Sequence, residues 1–136
     1  MDQLFGAVER LNLASVKDRF LRMHPAKDAE EVERQYREFL IAAGVAKDPI
    51  ALPESIDEFW HAHILDTRKY RKDCEELYGA FLHHDSSTHG ASASHAKATS
   101  ALLTHLFGGG DHWGLGNPEI KLALCLPTVD MELKSH

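Results

Sequence analysis

Positive charge is scarce in this sequence. Fifteen lysines and arginines stand against 21 aspartates and glutamates, a net charge of −6 with the histidines neutral. That balance excludes a broad basic surface for nucleic acid, because neutralising phosphates takes an excess of cations. The dense basic run Arg68-Lys69-Tyr70-Arg71-Lys72 is followed at once by Asp73, Glu75 and Glu76. It reads as a solvated helix face with its own charge pairs. Cysteine is scarce too: Cys74 and Cys125 form neither a disulfide framework nor a C-x-x-C pair. No apolar run approaches the ~18 residues of a membrane span, and Met1-Asp2-Gln3-Leu4 does not open a charged, then apolar, leader. The expectation is one domain over residues 1–136, cytoplasmic, with reduced thiols and with neither a membrane nor a nucleic-acid partner.

Histidine, by contrast, is abundant. There are ten, at positions 24, 61, 63, 83, 84, 89, 95, 105, 112 and 136. Histidine is the commonest metal ligand and the commonest acid–base side chain near neutral pH. His89, His95 and His136 read as surface residues. The informative block is Phe59-Trp60-His61-Ala62-His63-Ile64-Leu65-Asp66-Thr67, followed by Tyr70, Asp73, Cys74 and the pair His83-His84.

Hydrophobic residues make up 43% of the chain, enough for a core. Leu4, Val8, Leu11, Val16, Phe20 and Leu21 recur at helical spacing, with a break near Asn12 and Ser15 and a stop at Pro25. Asp28-Ala29-Glu30-Glu31 has the form of a capping box, opening a second helix with Val32, Tyr36, Phe39 and Leu40 on its apolar stripe and Gly44 at its end. Residues 45–53, with Pro49 and Pro53, read as a connector. A third helix is expected as one continuous element over 54–78, stopped by Gly79. Residues 84–94 read as a mobile polar loop, and a fourth helix spans 95–107 before Gly108-Gly109-Gly110. Residues 108–136 read as an irregular tail, anchored by Trp113 and the run from Ile120 to Leu126, with room for one short strand. The fold class expected is all-α, a small bundle of about four helices.

At 100° per residue, Ile56, Phe59, Trp60, Ile64, Leu77 and Tyr78 share the core face of the third helix. His63, Thr67, Tyr70 and Cys74 lie within it, and Asp66 and Asp73 on its edge. His61 falls roughly 200° from His63, where it can pair with Asp57 at i+4. The two histidines of His61-Ala62-His63 therefore do not converge on one ion, unlike the i, i+4 pair of a zinc helix. His63 faces inward, either as a hydrogen-bonded core histidine or as a ligand. In the second case Asp66 or Asp73 and His83 or His84 complete a site for zinc, iron or copper. His61 is a further candidate ligand, and Tyr70 a candidate proton carrier. Cys74, on the apolar face, reads as a small buried hydrophobe rather than a nucleophile.

The run Asp57-Glu58-Phe59-Trp60-His61-Ala62-His63-Ile64-Leu65-Asp66-Thr67, then Tyr70, Asp73-Cys74 and Gly79-Ala80-Phe81-Leu82-His83-His84, resembles the signature of the glycine-rich domain-containing protein-like family. The segment Gln35-Tyr36-Arg37-Glu38-Phe39-Leu40 is similar to that family's N-terminal part. The resemblance carries over a polar set of Asp57, Trp60, His61, His63, Asp66, Tyr70, Asp73, Cys74, His83 and His84. It does not carry over RNA binding, since Gly108-Gly109-Gly110 is a short run and no RNA-recognition motif is present. The function expected is a metal-binding helical domain acting on a small molecule or peptide. The alternative is a non-catalytic domain that binds a partner protein and keeps its histidines in buried hydrogen-bond networks.

Overall fold

The computed structural model describes residues 2–86 and 90–130. Along the chain run α1 (Asp2–Arg10), α2 (Ala14–Met23), α3 (Ala29–Val45), β1 (Ile50–Pro53), α4 (Glu54–Leu65), α5 (Thr67–Tyr78), β2 (Phe81–Ser86), α6 (Ala93–Phe107) and β3 (Leu122–Asp130). Helix predominates, but the all-α expectation of about four helices is corrected to six helices and a three-stranded antiparallel sheet among the described residues. Among those residues no helix is long and apolar enough to cross a membrane.

The break in the first apolar pattern falls where the sequence placed it. Asn12 Oδ1 accepts the Ala14 amide at 3.1 Å and starts α2. The Arg37 guanidinium gathers the carbonyls of Val8 and Leu11, at 2.7 and 3.1 Å, and so ties the end of α1 to α3. Asp28 caps α3 by accepting the Glu31 amide at 3.3 Å. Gly44, however, does not end that helix, which runs on to Val45. The glycine serves a close approach: a Cβ there would lie 2.7 Å from Leu4 Cδ2 and 3.0 Å from Tyr78 Cε1.

The continuous helix over 54–78 is also corrected. It breaks at Asp66, whose ψ of 79° is not helical, into α4 and α5. Across an unbroken helix, residues ten apart are separated by about 15 Å along the axis. Here His63 Nε2 meets Asp73 Oδ2 at 2.8 Å, and Trp60 Nε1 meets the Tyr70 hydroxyl at 3.0 Å. Helix α5 is therefore folded back beside α4. The expected inner face survives the break, since Ile56, Trp60, His63 and Tyr70 are all buried.

The connector over 45–53 holds β1, the loop over 84–94 begins with the last residues of β2, and the irregular tail holds β3, the middle strand of the sheet. Within that loop, expected to be mobile over 84–94, residues 87–89 lie outside the described residues. Helix α6 starts at Ala93, two residues before its expected start, behind a capping box of Ser92 and His95. Strand β3 pairs with β1 over Leu122–Cys125 and with β2 over Cys125–Asp130. The two ladders overlap only at Cys125. Pro127, an unusual residue for a middle strand, sits opposite His84, beyond the end of β1. The outer edge of β1 is closed by α6, where the buried Thr99 hydroxyl accepts the Ala51 amide at 2.9 Å. Trp113 anchors the chain between α6 and β3 as expected, donating to Glu38 at 3.1 Å.

Gly44→Ala tests the helix packing. In an open helix the change stabilises by about 1 kcal/mol. Here the Tyr78 ring is tethered by its hydroxyl to the Leu40 carbonyl at 2.6 Å and cannot yield freely. The substitution is expected to destabilise by about 1–3 kcal/mol in urea unfolding. A stabilised variant would contradict the close approach.

Candidate functional site

His63 is 1% exposed, at the centre of an aromatic cluster. Phe59 lies against Phe20 and Tyr36, with centroids 5.2 and 5.0 Å apart, and His63 meets the Tyr70 ring edge-on at 4.9 Å. Both ring nitrogens of His63 are engaged: Nδ1 lies 2.7 Å from the Tyr36 hydroxyl and Nε2 2.8 Å from Asp73 Oδ2. Burial, the largest effect, pushes the Tyr36 phenol well above its ordinary value, so it keeps its proton. That O–H donates to Nδ1, and the imidazole proton therefore sits on Nε2 and is donated to Asp73. Burial alone would raise the Asp73 carboxyl. The hydrogen bonds from His63 and from Lys69, at 3.0 Å, outweigh it and hold the group below the usual carboxylate range.

The other inward candidates are similarly engaged. The Tyr70 hydroxyl accepts from Trp60 and donates to the Leu82 carbonyl at 2.6 Å, and burial raises its phenol far above the ordinary value. Burial likewise pushes the Cys74 thiol up, in keeping with a small buried hydrophobe. Asp66 occupies the junction of α4 and α5, where its backbone accepts the Tyr70 amide at 2.8 Å. These groups form a network that joins α3, α4, α5 and β2.

A second constellation lies on the other side of α4. Asp57 and His61 stand at i and i+4 on one helix face, and β2 brings His84 to them. His84 Nε2 is 2.8 Å from Asp57 Oδ1, and His61 Nε2 is 3.9 Å from Asp57 Oδ2. Among the described residues, this trio is the set of three or more His, Cys, Asp or Glu side chains whose donor atoms lie within 4.8 Å of one another. His84 is held between two rings, with centroids 4.1 Å from Trp60 and 4.6 Å from His61. Neighbours in a strand point to opposite faces. His83 accordingly turns away from the trio and lies against Phe81 at 5.0 Å.

The structure thus brings together two of the six residues singled out as metal ligands, His61 and His84, and adds Asp57. It unites His63 with Asp73 in a separate pair, and it places Asp66 and His83 in neither group. Asp57 was visible as the i+4 partner of His61, but the emphasis on the inward face left that pair aside. Tyr36, 27 residues before His63, gave no local signal. Glu58, next to the trio in sequence, was also missed. Its Oε2 lies 3.2 Å from His24 Nδ1, while Oε1 is buried with no hydrogen-bond partner among the described residues.

The sign of the Asp73 contribution to stability follows from its lowered folded-state value. The contribution is complete above the unfolded value of about 3.9 and is lost as pH falls through the lower folded one. Asp73→Asn is expected to cost about 2 kcal/mol in unfolding at neutral pH. The difference from the parent should shrink under strongly acidic conditions, where both chains carry a neutral side chain. A deficit that is unchanged in acid would contradict the charged pair.

Comparison with known proteins gives a family match. No curated protein and no solved structure matches the chain. The family model that matches is UCP032817-like, over residues 9–103. This match corrects the resemblance to the glycine-rich domain-containing protein-like family, for which it gives no support. The matched span runs from the end of α1 into α6 and includes the α4–α5 turn, the His63 network and all three members of the Asp57 trio. On this match the chain belongs to the UCP032817-like family.

Proposed function

We propose that this protein is a metal-binding domain in which Asp57, His61 and His84 hold one divalent transition metal ion, zinc, iron or copper. The observation that carries the reading is the convergence of a carboxylate and two imidazoles from α4 and β2 within 4.8 Å. Ligand atoms bound at about 2.0–2.2 Å around one ion stand about 3–3.5 Å apart. With one donor atom taken from each residue, all three lie within 4.8 Å of one another, close to that spacing. Three protein donors leave at least one coordination position open, as in catalytic rather than closed structural sites. Such an ion supplies Lewis acidity, polarising a bound oxygen or favouring ionisation of a bound water.

The chain's own residues set the conditions around the site. The side chain of His61 is 53% exposed, which admits a ligand, and those of His84 and Asp57, at 13% and 19%, are held more firmly. The Trp60 ring beside His84 fixes one imidazole plane before metal arrives. A second reading, a non-catalytic protein-interaction domain, is supported by His63, whose nitrogens both serve internal hydrogen bonds. The two readings separate on metal dependence.

Protein purified without a histidine tag is expected to take up one ion per chain. Bound metal should raise the melting temperature, and a chelator should reverse the shift. His61→Ala and His84→Ala are each expected to weaken binding by more than about 100-fold, since even residues behind the ligands matter at the 10–100-fold level. His83→Ala should bind as the parent does. Stoichiometric metal lost in the His83 variant but kept in the His84 variant would contradict the assignment. A parent protein with no metal and no chelator response would leave the interaction reading.

A further inference from the structure

The open side of the Asp57 trio faces a shallow apolar cavity of about 350 Å³, lined by Met23, His61, Ile64, Leu65 and His84. Two of its wall residues are unusually exposed for their type, Met23 at 48% and Leu65 at 56%. Ile64 and Leu65 follow His61 at i+3 and i+4, so they extend the ligand-bearing face of α4. Met23, the last residue of α2, closes the opposite side. The volume is within the range of small-molecule sites. Apart from the two histidines, no polar or charged side chain among the described residues lines it.

We propose that this site takes a monoanionic small molecule with an apolar tail, a medium-chain carboxylate or a close analogue, with its anionic head on the metal and its tail on Met23, Ile64 and Leu65. The proposal rests on the metal-binding reading and adds the ligand class to it. Charge selects the head. A divalent ion joined to the single carboxylate of Asp57 keeps one positive charge, which one anionic donor neutralises. The walls select the tail. They offer methyl and methylene surface, so a second charged group would lose its hydration with no partner to replace it. A short dicarboxylate, whose second charge would fall on those walls, is disfavoured on that ground, and an alkylammonium by the positive charge of the ion. The exposed Met23 side chain is flexible enough to fit tails of differing shape.

The test uses the cobalt(II)-loaded protein, whose visible spectrum reports the ligand in the open position. Octanoate is expected to shift the spectrum at about 30-fold lower concentration than acetate, the gain from burying two to three methylenes on a half-open wall. Glutarate, whose second carboxylate would fall within the buried stretch, should act no better than acetate. The Met23→Ser/Leu65→Ser double variant replaces two exposed side chains and should bind cobalt as the parent does, with octanoate and acetate then acting at similar concentrations. If cobalt binds and the parent responds equally to octanoate and acetate, the ligand class is wrong while the metal centre stands. The ligand class is also wrong if the double variant keeps the preference, or if metal-free protein binds octanoate equally well. Failure of the parent to bind cobalt at all would overturn the metal reading and this inference together.

Discussion

Two hydrogen bonds cross the α4–α5 hairpin, His63 to Asp73 at 2.8 Å and Trp60 to Tyr70 at 3.0 Å, and the delivery of His84 to Asp57 and His61 of α4 depends on the fold-back they hold. They exist because the chain leaves helical geometry at Asp66 and returns alongside itself. The same fold-back directs the Tyr70 hydroxyl to the Leu82 carbonyl, which holds β2 against α5. Leu82 and His84 share a face of that strand. Leu82 is buried, and His84 lies over Trp60 beside Asp57 and His61. The hairpin bonds thus govern a cluster that contains none of the residues making them.

The histidines divide between two roles according to access. His63 is sealed in the core, where an imidazole without partners would be costly. Tyr36 and Asp73 meet that demand from two other helices. His61 and His84 stand at the surface end of the same fold, against one carboxylate and next to an apolar wall. A side chain with both nitrogens committed is suited to holding helices together. A pair that shares a carboxylate, with His61 half-exposed, is suited to receiving an ion, and this difference directs the functional proposal to Asp57, His61 and His84.

Much of this was legible in the sequence, at the level of local pattern. The break near Asn12, the Asp28 cap, the inward turn of His63, Tyr70 and Cys74 and the pairing of His61 with Asp57 all follow from spacing within a few residues. The bend at Asp66 was not legible, because Ile64 and Tyr70 continue the apolar period across it and neither glycine nor proline marks it. Strand β1 is four buried residues that follow Pro49 and end in Pro53, too short and too uniform to show alternation. Strand β3 carries Pro127, which argues against a middle strand until the staggered register shows that it lies beyond the ladder with β1. The site itself was half legible. His61 and His84 were named, but joining them to Asp57 needed the return of β2 to α4, a contact spanning 27 residues. The partnership of Tyr36 with His63 spans 27 residues as well.

The central claim is that the Tyr36–His63–Asp73 chain is a fixed proton arrangement holding the hairpin. Nitrogen-detected NMR of the His63 ring tests it most directly. The account predicts a proton on Nε2, slow to exchange with solvent, and an unprotonated Nδ1 that accepts from Tyr36. A proton found on Nδ1, or an Nε2 proton that exchanges as fast as that of a surface histidine, would contradict it.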